Sequence, residues 1–139
     1  MKKISFLLFF FLLQSNTSEA KFDTKTSIDM HEWCKSWIRQ RDGFKISNEK
    51  MIKSIGCYWY FKGMYEGSLM GTVADAIPKG IDSQNIQPKL NGACVPRSFT
   101  LVQWIKIFVR YLDNNPQHLN KDVAFNSAVA LTKFYKCKN

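Results

Sequence analysis

Four cysteines, Cys34, Cys57, Cys94 and Cys137, constrain this 139-residue chain more than any other feature. Their meaning comes from the segments between them. Ile28, Trp33, Trp37 and Ile38 recur at mostly helical spacing and predict a helix over 28–40. Gly43 breaks the pattern within 41–47. Asn48 reads as an N-cap with Glu49 in the first turn, opening a helix over 49–76 that ends before Pro78. Ser98 can cap a third helix, 99–113, whose stripe is Leu101, Trp104, Ile105, Phe108 and Leu112. After the breaker "DNNPQHLN", a last helix over 119–135 carries Val123, Ala124, Ala128, Leu131 and Tyr135 on one side. No strand pattern or repeat stands out. Antiparallel helices rise equally per residue, so residues equidistant from a turn lie level. The midpoint of Cys34 and Cys57 falls between Lys45 and Ile46, inside the first turn; that of Cys94 and Cys137 falls between Asn115 and Pro116, inside the second. Of three connectivities, Cys34–Cys57 and Cys94–Cys137 are expected. The fold class is all-α: a small disulfide-stapled bundle of about four helices, in two helical hairpins.

Disulfides need an oxidising compartment, and the first residues supply the route. Lys2 and Lys3, the apolar run from Ile4 to Leu13, and Ser18-Glu19-Ala20 have the layout of a secretory signal peptide cleaved after Ala20. Spanning a bilayer takes roughly 20 apolar residues, so this run is too short for an anchor. The expected division is a signal peptide over 1–20 and one helical domain over 21–139, soluble and outside the cytosol, without stable membrane insertion. Net charge is +9. The lysines are spread along the chain rather than massed in a tract, and export argues against nucleic acid as a partner. No C-x-x-C or Cys/His cluster points to zinc; no metal and no cofactor is expected.

The stretch "GCYWYFKGMYEGSLMG", Gly56 to Gly71, sets a four-residue aromatic run beside glycines at 63, 67 and 71. At 100° per residue, Gly56, Tyr60, Gly63, Gly67, Gly71 and Ala74 share one side of the second helix. Phe61, Tyr65 and Leu69 share the other, with Trp59, Ile52 and Met70 between. A helix apolar nearly all round reads as buried. Each interior glycine costs up to about 1 kcal/mol relative to alanine, so Gly63, Gly67 and Gly71 require a packing reason. Two stand open together: close intramolecular helix packing and a homodimer seam.

Catalytic motifs are missing. His31 and His118 stand alone near predicted helix starts and read as exposed or capping. No H-E-x-x-H, G-x-S-x-G or phosphate-cradling loop occurs, and two disulfides leave no thiol as nucleophile. A secreted, stapled helical domain of this kind is expected to bind rather than catalyse.

The order of several short motifs resembles the Rap/Tai family of type VI secretion immunity proteins, which neutralise peptidoglycan amidases in the periplasm. That family's C-x-G-Y-x-x-G is met by Cys57, Tyr60 and Gly63, and its C-x-P by Cys94-Val95-Pro96. A Q-(L/W)-x-x-(V/F)-(V)-x-Y-L segment is echoed by Gln103, Trp104, Phe108 or Val109, Tyr111 and Leu112. Pro116 follows as the breaker, and Ala130, Leu131, Tyr135 and Cys137 match the family's end. Trp59 replaces a family glycine, Phe134 a small residue and Lys136 a proline; the first crowds the surface that close packing would use. The resemblance spans 34–137. It implies a periplasmic, non-enzymatic inhibitor whose partner is a peptidoglycan amidase effector, held by plugging its active-site cleft.

A plug must protrude with its shape already set, because ordering a loop on binding costs affinity. The turn Asp113, Asn114, Asn115, Pro116, Gln117, His118 fits: Pro116 stiffens it and its polar side chains suit a hydrolase cleft. Asp113, Asn114, Asn115 and Gln117 are the expected contacts, with Asn114 or Asn115 reaching deepest. The competing plug is the long 77–93 loop, expected to be more mobile. Two other roles stay open: a small periplasmic helical chaperone, and a secreted inhibitor of a host cell-wall hydrolase.

Overall fold

A computed structural model describes residues 26–137. The expected signal peptide, 1–20, lies outside them. Four helices dominate: α1, Ser27–Arg41; α2, Asn48–Ala76; α3, Leu101–Asp113; and α4, Val123–Phe134. Both expected disulfides are present, Cys34–Cys57 and Cys94–Cys137. The all-α expectation holds, with one addition. Lys89–Leu90 (β1) and Ala93–Cys94 (β2) pair antiparallel across Asn91-Gly92. Both turn residues have positive φ, 46° and 83°, the conformation that an Asn-Gly two-residue hairpin turn requires. Cys94 therefore leaves from a hairpin rather than a helix, and its N–H donates to the carbonyl of Tyr135 at 3.1 Å.

Local chemistry moves three helix starts. Ser47, not Asn48, caps α2, accepting from the Lys50 N–H. Thr100, not Ser98, caps α3 in a reciprocal box with Gln103, which satisfies two amide donors at once. α4 begins at Val123 rather than 119, because Pro116–His118 forms a 3-10 turn and Asp122 then caps by accepting from Phe125.

The core is centred on α3. Trp104, Ile105, Phe108 and Leu112 are buried as expected. Phe61 of α2 packs edge-on to Trp104 and tilted against Phe108, the offset geometries that aromatic quadrupoles favour. The Trp104 indole N–H donates to Ser127 of α4, so the largest core side chain has its polar atom satisfied. On α1 the buried face is Met30, His31, Cys34 and Trp37, while Ile28 is exposed.

α2 departs furthest from expectation. It is not a buried helix: only Ser54, Cys57, Phe61 and Ala76 are buried. The reason is length. At 1.5 Å per residue its 29 residues span about 43 Å, against about 22 Å for the 15 residues of α1. With Cys34 level with Cys57, the first residue of α1, Ser27, comes level with Met64. The second half of α2 projects past α1; along one edge it meets the 77–97 segment, and Tyr65 donates to the Phe99 carbonyl at 3.1 Å and packs on Trp104 of α3.

Candidate functional site

The 113–118 turn is built from the end of α3. Asn114 is the C-cap, and its side-chain amide donates to the Arg110 carbonyl at 2.9 Å; that of Asn115 donates to the Tyr111 carbonyl at 2.7 Å. Both carbonyls lie in the last turn of α3, where backbone donors run short, and that of Arg110 also accepts the Asn114 backbone N–H at 3.2 Å. Both asparagines are thus spent on holding the backbone. Within the 3-10 turn, the amides of His118 and Leu119 donate to Asn115 and Pro116. The Tyr111 hydroxyl meets His118 Nδ1, closing the last turn of α3 onto Pro116–His118. Burial raises the Tyr111 phenol pKa above its ordinary value, and Lys133 lies over its ring at 4.7 Å.

The neighbouring helices tie down both ends of the turn. At its entry, His31 Nε2 of α1 lies 2.8 Å from Asp113 Oδ1. At its exit, the Asn126 amide donates to the His118 carbonyl at 2.8 Å, and the Ser27 hydroxyl donates to the Lys121 carbonyl at 2.8 Å. Both histidines differ from expectation: His31 is only 7% exposed and His118 is half-buried. For His31 the spacing carried no sign of this, because only the tertiary fold brings Asp113 near; His118 pairs across its own turn with Tyr111, seven residues earlier. Asp113, Asn114, Pro116 and Gln117 are exposed, and Asn115 is half-buried.

The competing segment is also held, so length does not set the two apart. Thr72 of α2 donates to the Lys89 carbonyl at 3.1 Å, Ser68 donates to Asn91 at 3.3 Å, and Arg97 reaches the Ile86 carbonyl at 3.3 Å. Between this segment and α2 lies an open groove of about 540 Å³, lined by Gly71, Thr72, Asp75, Ile81, Ile86 and Lys89 among others. Asp75 is paired with Lys79 at 2.7 Å.

The glycine face divides in two. At Gly56 a Cβ would lie 2.8 Å from the Trp33 ring, so this glycine has an intramolecular packing role. At Gly63, Gly67 and Gly71 a Cβ would meet nothing within 4 Å among the described residues. Of the two packing reasons left open, close intramolecular helix packing therefore does not account for these three among the described residues. Around Gly63 and Gly67 runs an exposed apolar stripe of Ile52 (72% exposed), Trp59 (61%), Met70 (68%) and Ile77 (68%).

Among the described residues no helix is long and apolar enough to cross a membrane, and no group of three or more metal-binding side chains occurs. No curated protein and no solved structure matches the chain. The family model of the Rap1a immunity proteins matches residues 26–137, a span that takes in all four helices and both disulfides. The chain belongs to the Rap1a immunity protein family.

Proposed function

We propose that this immunity protein acts in the periplasm, where it inhibits a type VI secretion peptidoglycan amidase by setting the 113–118 turn into the enzyme's active-site cleft. Family membership makes the chain a toxin-binding immunity protein; the amidase, the compartment and the plug are the further steps. The observation that carries the plug is the turn's self-bracing. Its entry and exit are fixed to α1 and α4, and Asn114 and Asn115 brace its backbone. Little conformational freedom remains to be lost on binding, which favours affinity. Binding and occlusion need no catalytic group of the chain's own.

The exposed stripe on α2 supports a homodimer as the acting form. Read from either end, Ile52, Trp59, Gly63, Gly67, Met70 and Ile77 give the same order of sizes: two large, two small, two large. A two-fold axis between Gly63 and Gly67 would cross two α2 helices antiparallel where the backbones can come closest, with the large side chains closing over the flanks. The test of function is direct. Purified chain is added to a type VI peptidoglycan amidase from the same genome, and release of peptidoglycan fragments is followed. Stoichiometric loss of hydrolysis is expected, and relieved inhibition with the Asn114→Ala/Gln117→Ala double variant. Full hydrolysis in the presence of a stoichiometric excess of wild-type chain would remove the amidase as the target.

A further inference from the structure

We propose that His31 is a positioning residue for toxin recognition, acting through Asp113 to hold the turn in shape; the binding role rests on the reading of 113–118 as the plug. A carboxylate only accepts hydrogen bonds, so at 2.8 Å His31 Nε2 is the donor and Asp113 Oδ1 the acceptor. The contact joins residues 82 apart in sequence. It is one-sided in exposure: the His31 side chain is 9% exposed and that of Asp113 is 49%. A buried, fixed donor therefore reaches out to the last residue of α3, the one from which the turn departs.

The donor is itself fixed. His31 lies three residues before Cys34, which is fully buried and bonded to Cys57 of α2. One helical turn thus separates a covalent staple from the hydrogen bond that orients the turn. At the other end, Asn126 and Ser27 hold His118 and Lys121, and Ser27 is also on α1. Helix α1 accordingly grips both the entry and the exit of the turn: His31 at Asp113, Ser27 at Lys121. Asp113 is committed inward by this geometry, leaving Gln117 and Asn114 at the exposed tip.

The test compares the disulfide-bonded chain in four variants, His31→Leu, His31→Gln, Asp113→Ala and Asp113→Asn. Amide hydrogen exchange is followed at Asn114 and Asn115, which donate to carbonyls at the end of α3, and at His118 and Lys121, which donate to carbonyls of the turn. Glutamine keeps a side-chain N–H donor near the place of Nε2, and asparagine keeps the acceptor. Losing a charge-assisted hydrogen bond should speed local exchange roughly tenfold in His31→Leu and Asp113→Ala. His31→Gln and Asp113→Asn should stay close to wild type, with exchange around Cys57 unchanged in all four. Unchanged turn exchange in the first pair, or equal acceleration in His31→Leu and His31→Gln, overturns the clamp. Because Asp113 is half-exposed, Asp113→Ala carries the test if His31→Leu does not fold. A second readout is the dissociation rate from an amidase that the wild-type chain inhibits. Faster dissociation in step with exchange supports the role in recognition. Faster exchange with unchanged dissociation leaves the clamp standing and overturns the turn as the grip.

Discussion

Gly56 lies directly against the indole of Trp33: a Cβ at position 56 would stand 2.8 Å from Cζ3 and 2.9 Å from Cε3 of the ring. Gly63, Gly67 and Gly71, on the same helix, would each place a Cβ in open space. Four glycines that look alike along α2 therefore carry different constraints, and their substitution should separate them.

Gly56→Ala should displace the Trp33 ring and destabilise the chain by about 1–3 kcal/mol, the usual cost of overpacking, partly offset by alanine's better helix propensity. Denaturant unfolding and the tryptophan emission spectrum check this. An unchanged midpoint with an unchanged spectrum would contradict the contact.

For Gly63→Ala and Gly67→Ala the sign reverses in the monomer. With nothing to strike, each alanine should add up to about 1 kcal/mol through helix propensity. Gly67→Leu should leave monomer unfolding near wild type yet abolish the proposed dimer, read by sedimentation across a concentration series. A Gly67→Leu chain that still dimerises would place the seam elsewhere.

How much of this was legible in the sequence depends on whether the signal is local. The helices follow from apolar spacing, and Cys34–Cys57 from equal distance to its turn; Cys94, in the hairpin, and Cys137, past the end of α4, lie off the helices, so the helical register does not explain their pairing. Thr100-x-x-Gln103 and Leu90-Asn91-Gly92-Ala93 carry local capping-box and hairpin signals that the reading of Ser98 as the cap, and of no strand, passes over; their chemistry explains the shifted start of α3 and the small sheet. The histidines were not readable, since His31 gains its partner 82 residues away. Nor was the bare outer face of α2. Its apolar residues look the same whether a neighbour covers them or not, and only the lengths of the other helices decide. For the 113–118 turn, Pro116 and the polar side chains were visible. That Asn114 and Asn115 brace the backbone needed the geometry.

The two disulfides should differ in what they hold. In the loop-entropy model, closures over separations of 23 and 43 residues contribute about 3.5 and about 4 kcal/mol. Cys34→Ser/Cys57→Ser should loosen α1 against α2 and, through His31, the 113–118 turn. Cys94→Ser/Cys137→Ser should release the chain end beside Tyr135 and leave turn exchange unchanged. Hydrogen-exchange mapping distinguishes the two patterns, and identical maps would contradict this division.

Alkaline pH should weaken the fold through two phenols. Burial raises the pKa of Tyr111 above the ordinary 10.0, and burial followed by the charge of Asp122 raises that of Tyr60. The folded state then holds these protons more tightly than the unfolded chain. Their stabilisation is full below pH about 10 and is lost as pH rises through the folded pKa values. Unfolding midpoints at pH 9 and 11 should diverge, and the divergence should shrink in Tyr60→Phe and Tyr111→Phe. An equal fall in all three chains would assign it to other groups.

The central claim is that a braced turn on this immunity protein fills the cleft of a peptidoglycan amidase. Its most direct test is amidase inhibition by two altered chains side by side: Asn114→Ala/Gln117→Ala, and one shortened across 80–92 with both disulfides intact. The account predicts that the first, which also loses the Asn114 brace, loses inhibition by at least tenfold with overall helicity unchanged, while the second inhibits like wild type. Full inhibition by the first and its loss in the second would contradict the account and make the 77–93 segment the plug.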